Sequence, residues 1–342
     1  MAYLQQPWSS GVLTHNGPLV QRLERELSAK LGTSDFITVC NGTLALQMAI
    51  KALKLKGEII TTPFTWVATV SAIKWEGCTP IFADIDPYTF NIDPEAIRRK
   101  ITPNTVAIMP VHVFGNPCQC DEIEAIASER GLKVIYDAAH AVGTTYKGQS
   151  VLNCGDISAT SLHATKIFNT GEGGGCITGD PSLNAKLKRI RFFGHDDSKD
   201  VVEDGFNGKM TEIHAALGLA NLNYFNEVLA DRKQKWLAYQ EMLSAVAGLS
   251  FQKLSTDGES NYSYFPVVFD SEKRLLKVLE ALNAKGIFPR RYFYPAVNGY
   301  EKIVSSASCP QSESLSSRVL CLPLYWKLQH VEVVRIARII LR

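Results

Sequence analysis

Apolar residues recur every three or four positions from residue 18 to 31, and this spacing predicts an amphipathic helix. A proline stands at its first position and Gly32 follows its last, which are typical start and stop signals of a helix. The face that the helix would bury consists of four leucines: Leu19, Leu23, Leu27 and Leu31. We therefore expect this helix to pack onto a core.

Short apolar runs alternate with helical patterns from there to about residue 180. Helices are predicted at residues 43–53, 94–101 and 121–130. Strands are predicted at residues 36–40, 58–61, 80–83, 106–109, 133–136 and 156–162. This alternation predicts an α/β fold with a mainly parallel sheet that is flanked by helices. Such sheets bind their ligands at the carboxyl ends of the strands.

The pattern changes after Gly171. Two helices and a long helical stretch are predicted at residues 181–193, 210–223 and 224–246. A strand, a helix and a second strand follow at residues 262–269, 272–285 and 287–294. The sequence thus predicts a large domain with an N-terminal arm at residues 1–230 and a smaller α/β domain at residues 231–342, with the boundary inside the long helix.

The composition argues against a nucleic-acid-binding protein, a membrane protein and a zinc-binding protein. The 36 basic and 34 acidic residues leave a net charge of +2, so no global field favours nucleic acid or a membrane surface. The N-terminus lacks the basic and apolar stretches of a signal peptide, and no apolar run is long enough to span a bilayer. The eight cysteines include one C-x-C pair and no second pair at zinc-like spacing. We expect a cytoplasmic protein with reduced thiols, no metal, and a local site for any anionic ligand.

The first candidate site is the tripeptide Asn41-Gly42-Thr43, between a predicted strand and a predicted helix. A glycine lets the backbone approach an anion, a helix N-terminus offers free N–H groups, and Thr43 adds a hydroxyl donor. The same residues would also form an ordinary helix cap. Taken alone, the motif leaves both interpretations open.

The second candidate is Asp137, which ends a predicted strand three residues before His140. A carboxylate in that position is costly unless a cation pairs with it, and a protonated pyridine nitrogen, a metal or an arginine would serve. His140 could hydrogen-bond a substituent on a bound ring, or it could be a packed polar residue. A ligand site and a structural ion pair are both open.

The third candidate is Lys166, which follows a predicted strand and precedes four glycines within residues 171–175. A lysine that forms an imine needs a partly desolvated amine with a lowered pKa. The glycines would allow a tight turn beside a bulky cofactor. They do not form a dinucleotide-binding fingerprint, because no long helix follows them at once. The alternative is a solvent-facing lysine before a flexible hairpin.

Four motifs in order, at residues 61–69, 137–140, 161–175 and 205–210, resemble the sugar aminotransferases of the DegT/StrS type, which have the aspartate aminotransferase fold. The resemblance runs from about residue 11 to 222 and continues more weakly to the end. It implies a fold-type I enzyme that depends on pyridoxal 5'-phosphate. By this resemblance Lys166 holds the cofactor as an imine, Asp137 pairs with its pyridine nitrogen, His140 binds its ring hydroxyl in place of a common Gln, and Trp66 stacks on its ring.

The resemblance also implies how the phosphate is bound. Gly42, Thr43 and Ser161 match phosphate ligands, and Asn207 matches a residue that reaches the phosphate from the neighbouring subunit. The implied assembly is a homodimer with shared active sites. Many members have Arg where this chain has Lys209, so the contact made there is left open.

The N-terminal stretch at residues 11–19 resembles the short family members that aminate a dTDP-linked 4-keto-6-deoxyhexose. This implies a nucleotide-linked keto-sugar as acceptor and L-glutamate as donor, with amination at C-4 favoured over C-3. Thr14 and His15 would then lie near the sugar. Arg290, Arg291 and Tyr294 could approach the nucleotide, although two solvated arginines at a strand are an equal alternative.

Other activities fit the sequence less well. Sugar dehydratases on the same fold carry His in place of the imine lysine, and this chain has Lys166. A nicotinamide dehydrogenase would need a glycine-rich turn after the first strand, where only Asn41-Gly42-Thr43 occurs. A non-catalytic regulatory protein on this fold is disfavoured because every matched catalytic position is filled.

Overall fold

The computed structural model describes residues 2–305 and 307–341. The strands are, in chain order, β1 (Phe36–Val39), β2 (Glu58–Thr61), β3 (Thr79–Phe82), β4 (Thr105–Met109), β5 (Lys133–Asp137), β6 (Thr145–Tyr146), β7 (Gln149–Ser150), β8 (Ile157–Ser161), β9 (Gly174–Ile177), β10 (Leu249–Phe251), β11 (Phe265–Phe269) and β12 (Val319–Leu322). The α-helices are α1 (Ala2–Ser10), α2 (Pro18–Leu31), α3 (Gly42–Ala52), α4 (Val67–Trp75), α5 (Pro94–Lys100), α6 (Cys120–Arg130), α7 (Pro181–Ile190), α8 (Glu212–Leu222), α9 (Phe225–Leu243), α10 (Glu272–Asn283), α11 (Pro310–Arg318) and α12 (His330–Ile340).

A seven-stranded sheet forms the centre of the larger part, in the order β1-β9-β8-β5-β4-β2-β3. Strand β9 runs antiparallel to both of its neighbours, and the pairs from β8 to β3 are parallel. The α/β prediction with a mainly parallel sheet is therefore confirmed. In the register of β5 with β8, Asp137 lies opposite Ala159, so the carboxyl ends of these strands meet at one edge of the sheet.

Both faces of this sheet are buried because helices cover each of them. Along β2, Ile59 points into the apolar cluster that includes α3, and Ile60 points into the cluster that includes α6. Successive side chains of a strand face opposite ways, so a strand covered on both faces has a continuous apolar sequence. Burying each of these isoleucines contributes about 1.5–3 kcal/mol. The continuous apolar runs in the sequence reflect this arrangement.

A second, antiparallel sheet has the order β10-β11-β12. It packs against α9, α10 and α12 around an apolar cluster of its own, which includes Tyr239, Phe265, Leu275, Leu320 and Ile336. Helix α9 runs from the region of the large sheet into this cluster. The domain boundary at residues 230/231 stays a prediction.

The strand predicted at residues 287–294 is wrong. This segment makes only an isolated bridge, in which Arg290 and Cys321 exchange backbone hydrogen bonds of 3.0 and 2.8 Å. Prolines at positions 289 and 295 flank the bridge, and proline cannot donate to a strand ladder. Strand β12 pairs with β11 instead.

Among the helices that the structure describes, none is both long enough and apolar enough to cross a membrane.

Candidate active site

A cavity of about 420 Å³ opens at the carboxyl ends of the parallel strands. Residues from distant parts of the chain line it, because β1, β2, β5 and β8 all end at this edge. Eight residues singled out from the sequence line this one cavity: Gly42, Thr43, Trp66, Asp137, His140, Ser161, Lys166 and Arg290.

Asp137 is the last residue of β5, and its side chain is 5% exposed. Its Oδ2 accepts a hydrogen bond of 2.7 Å from the Thr69 hydroxyl, and its Oδ1 accepts one of 3.1 Å from the Ala139 N–H. Burial raises the pKa of Asp137, and these two donors and the charge of Lys166 oppose that rise. The result is a buried carboxylate at the floor of the cavity that is suited to a cationic partner.

Lys166 lies in the loop between β8 and β9, and the Lys166 N–H donates to the His163 carbonyl at 2.8 Å. The pKa of Lys166 is lowered to about 8: burial is the main cause, the charge of Asp137 opposes the shift, and the positive charge of Arg290 adds to it. A substantial fraction of the amine is then neutral near physiological pH. Lys166 is partly buried and lines the cavity, and a neutral amine in that position can act as a nucleophile or as a base.

His140 is 8% exposed and packs against two phenylalanine rings that also pack against each other, with their centroids 5.6 Å apart. Its ring centroid lies 6.0 Å from that of Phe114 and 5.8 Å from that of Phe293, and in both pairs the ring planes are nearly parallel. The Phe114 N–H donates to Nδ1 at 3.3 Å, so the proton of a neutral ring is on Nε2. Burial, together with the charge of Lys166, holds the pKa of His140 well below its usual value. The residue is therefore a neutral donor.

Glycines shape the end of the cavity that is next to α3. Asn41 caps this helix by accepting from the Leu44 N–H at 2.8 Å, and Gly42 and Thr43 form its first turn. A Cβ on Gly174 of β9 would meet the Asn41 carbonyl carbon and oxygen at 2.5 Å, so that glycine lets β9 pass directly beside the turn. Backbone N–H groups at a helix start, beside the Ser161 hydroxyl, form a site for a phosphate or another anion.

This finding corrects the role that the sequence suggested for the glycines at 171–175. Gly171 has a positive φ of 79° and does form a turn. Gly174 and Gly175, however, lie in the extended strand β9. A Cβ on Gly175 would come within 2.1 Å of the Phe36 ring. These two glycines are needed for close packing between strands rather than for flexibility.

Aromatic residues and an arginine form the wall opposite Asp137. Trp66 is 57% exposed and makes an edge contact with Tyr292, with ring centroids 6.0 Å apart. The Nη1 of Arg290 donates to the Tyr292 hydroxyl at 2.6 Å. Tyr264 packs 4.7 Å from the His140 ring. The wall therefore combines stacking surfaces with a positive charge.

Three predicted residues lie elsewhere in this chain. Asn207 accepts a hydrogen bond of 2.6 Å from Lys209, whose amine lies over the rings of Phe192 and Phe193. His15 and Lys209 line a different cavity, of about 760 Å³, and Thr14 directly precedes His15. None of these residues lines the Lys166 cavity, but the carbonyl of Gly208, next to Asn207, accepts a hydrogen bond of 2.9 Å from the N–H of Cys40, the residue before Asn41.

The two residues expected to accompany Arg290 also lie outside the lining of the Lys166 cavity. Arg291 forms an ion pair of 2.7 Å with Glu272 and donates to the Ser317 carbonyl at 2.9 Å. Its guanidinium lies 3.5 Å from the ring centroid of Tyr294. Both side chains are thereby engaged within the C-terminal part.

Sequence reasoning missed several lining residues: Thr65, His163, Thr165, Glu172, Tyr264 and Tyr292. Thr65 lies two residues before α4 and Thr69 lies in its first turn, so helical spacing in the sequence does not signal the contact between their hydroxyls. The two tyrosines follow Lys166 by about a hundred residues and give no local signal. Across the described ranges, no group of three or more His, Cys, Asp or Glu side chains is placed to hold a metal ion.

Comparison with known proteins gives consistent matches over nearly the whole chain. Residues 1–341 match the model of the DegT/DnrJ/EryC1/StrS aminotransferase family. A dTDP-4-amino-4,6-dideoxy-D-glucose transaminase of Shigella dysenteriae is 41% identical, over 95% of this chain and 90% of its own length. One of the same description from Escherichia coli is 39% identical, over 100% of this chain and 94% of its own.

A solved structure gives the same result for the fold. The crystal structure of DesI in the presence of its TDP-sugar product superposes with a TM-score of 0.93 at 35% identity. The superposition covers 99% of this chain and 88% of that one. The expectation of an aminotransferase fold is confirmed.

Proposed function

The chain belongs to the DegT/DnrJ/EryC1/StrS aminotransferase family, and on that premise we propose that it transfers the amino group of L-glutamate to dTDP-4-keto-6-deoxyglucose with pyridoxal 5'-phosphate as cofactor. The product is the 4-amino-4,6-dideoxy sugar. The observation that carries this proposal is the convergence of Lys166, Asp137 and His140 in one cavity. An amine, a buried carboxylate and a neutral donor are the three groups that this cofactor's chemistry requires.

The residues present fit the cofactor. The buried Asp137 has room in the cavity for a protonated ring nitrogen, which would satisfy its charge. His140 presents a proton on Nε2 for an oxygen on the ring. The α3 N-terminus and the Ser161 hydroxyl offer donors for the phosphate. Each of these polar groups of the cofactor would thus lie beside a protein group of opposite charge or of the complementary hydrogen-bonding role.

When bound, pyridoxal phosphate supplies a ring that withdraws electrons from the substrate carbon. Lys166, with its pKa lowered to about 8, would take the proton from the α-carbon of glutamate and deliver it to the cofactor carbon that takes up the amino group. In the second half-reaction it would move a proton from that carbon to the sugar carbon that receives the amino group. Asp137 keeps the ring nitrogen protonated because a carboxylate stabilises the positive charge. The aromatic wall provides stacking surfaces, and Arg290 provides a positive charge for an anionic part of a substrate.

The choice of sugar follows the relatives named above and the N-terminal stretch at residues 11–19. The alternative within the same family is amination at C-3. A dehydratase is disfavoured because Lys166 lies in the cavity in the position of a reactive amine, and a non-catalytic regulator would not need that amine.

A homodimer with shared active sites is part of the proposal. Asn207, Lys209 and His15 lie apart from Lys166 within one chain, and they would complete the site of a second copy. The division into domains at residues 230/231, the nucleotide contacts of Arg291 and Tyr294, and a cytoplasmic location stay predictions.

The experiment is to record the absorbance spectrum of the purified protein with pyridoxal phosphate, then after L-glutamate, and then after dTDP-4-keto-6-deoxyglucose. We expect a visible band that fades with glutamate and returns with the keto-sugar, since the two half-reactions restore the starting state. A 3-keto isomer is the matched control for the position of amination.

Each outcome decides a separate point. A band that fades and returns only with the 3-keto isomer would retain the aminotransferase and overturn C-4. A band that never returns with either sugar would overturn the sugar class. Failure to form any band would contradict the role of Lys166.

A further inference from the structure

Two threonine hydroxyls lead through the protein interior to Asp137. Thr65 lies 2% exposed before α4, and Thr69, which is fully buried, lies one turn into it. Their Oγ1 atoms are 2.8 Å apart, and Oγ1 of Thr69 lies 2.7 Å from Oδ2 of Asp137. Helix α4 thus makes a direct polar contact with the carboxylate at the end of β5.

The chemistry of the groups fixes the direction of these hydrogen bonds. An ionised carboxylate only accepts, so Thr69 must donate to Asp137. The hydroxyl proton of Thr69 is then used, and the hydrogen bond between the threonines must be donated by Thr65. A polarised chain from Thr65 through Thr69 to Asp137 stabilises the charged form of the acid more than the neutral one.

We propose that Thr69 is a positioning residue that keeps Asp137 ionised and aimed at the cofactor ring nitrogen, and that Thr65 orients the Thr69 hydroxyl. Burial of Asp137 works against its ionisation, and Thr69 and the Ala139 N–H are the two donors that offset it. Thr65 itself lines the cavity beside Trp66. One short segment thus supplies the indole proposed to stack on the cofactor ring and the hydrogen-bonded pair Thr65–Thr69, which we call the relay to Asp137. The inference rests on the proposed use of pyridoxal phosphate.

The test measures cofactor affinity against pH, without any substrate. A protonated ring nitrogen is held only while Asp137 carries its charge, so affinity falls at the pH where Asp137 takes up a proton. Thr69→Val removes the donor at nearly constant volume, which raises the pKa of Asp137. The affinity for pyridoxal phosphate, plotted against pH, falls on the acid side, and we call this fall the acid limb. In Thr69→Val the acid limb should move to higher pH by about one unit, which is a tenfold change in the proton affinity of Asp137.

Matched variants separate this role from a structural one. Thr69→Ser keeps the hydroxyl and should leave the acid limb at its wild-type pH. Thr65→Val should move the acid limb to higher pH, as Thr69→Val does, but by a smaller amount. Thr61→Val is the control: its hydroxyl is fully buried and donates to the Met109 carbonyl at 2.8 Å, away from Asp137. It should lower the melting temperature and leave the limb in place.

The outcomes are distinguishable. An unmoved limb in Thr69→Val, or a Thr69→Ser limb shifted as far as that of Thr69→Val, would overturn the relay. If Thr69→Val does not fold, an unmoved limb in Thr65→Val would overturn it in the same way. Wild-type protein that binds no pyridoxal phosphate at any pH would refute the proposed function instead.

Discussion

Gly42 lies so close to Ser161 that a Cβ on the glycine would come within 2.8 Å of the serine Cβ. This contact joins the N-terminus of α3 to the end of β8, and so it sets the width of the proposed phosphate site. Gly42 could not carry a side chain without moving one element away from the other.

Gly42→Ala should therefore weaken pyridoxal phosphate binding. Overpacking of this kind costs about 1–3 kcal/mol, which corresponds to about a 5- to 150-fold loss of affinity. The measurement is the dissociation constant by absorbance titration. Gly179→Ala is the matched control, since its added Cβ would have its nearest neighbour, Ser34 Oγ, at 3.8 Å. Equal affinities for both variants would mean that the Gly42 turn does not hold the phosphate.

Lys166→Ala should abolish transamination, because the variant has no amine to bond the cofactor or to carry the proton. We expect it still to bind pyridoxal phosphate through the phosphate and ring contacts, as a free aldehyde with a shifted spectrum. Lys133→Ala, which removes an exposed lysine paired with Asp156 at 2.7 Å, should have wild-type turnover. Near-normal turnover in Lys166→Ala would contradict the assignment.

Asp137→Asn should lower turnover by about two orders of magnitude or more, because a neutral amide cannot hold the proton on the ring nitrogen. The Ala139 N–H can still donate to the amide oxygen in the position of Oδ1, and the Thr69 hydroxyl can accept from the amide N–H in the position of Oδ2, so the fold should be retained. Turnover and thermal unfolding should be measured on the same preparation. A loss of stability with unchanged turnover would assign Asp137 a structural role only.

The reactivity of Lys166 should depend on pH around 8. Its pKa in the folded protein is lowered from 10.5 to about 8, so the neutral amine that attacks the cofactor aldehyde becomes the major form above that pH. The rate at which cofactor-free protein takes up pyridoxal phosphate should rise through this range.

Arg290→Gln tests the cause of this shift. It removes a positive charge that lowers the pKa of Lys166, and so it should move the rise to higher pH. Arg291→Gln, at an arginine paired with Glu272, is the control that should leave the rise in place. Identical profiles in wild type and Arg290→Gln would show that Arg290 does not contribute to the shift.

Helices and strands that are marked by nearby residues could be predicted from the amino-acid sequence. The helix predicted at residues 18–31 has these bounds in the structure, because proline and glycine mark its ends and leucines mark its buried face. The strands before Gly42, Asp137 and Lys166 were likewise found from short apolar runs. Since parallel strands end at one edge, ligands were expected there, and the three residues line one cavity at that edge.

Strand pairing and side-chain contacts between distant segments could be established from the tertiary structure alone. It assigned the third strand of the small sheet to Val319–Leu322 instead of residues 287–294, because pairing partners and not apolar character select a strand. It separated Arg290, in the cavity, from Arg291, paired with Glu272, although they are adjacent in sequence. It also brought Thr69 against Asp137 across 68 residues of chain. Such contacts have no sequence period, since packing in three dimensions alone creates them.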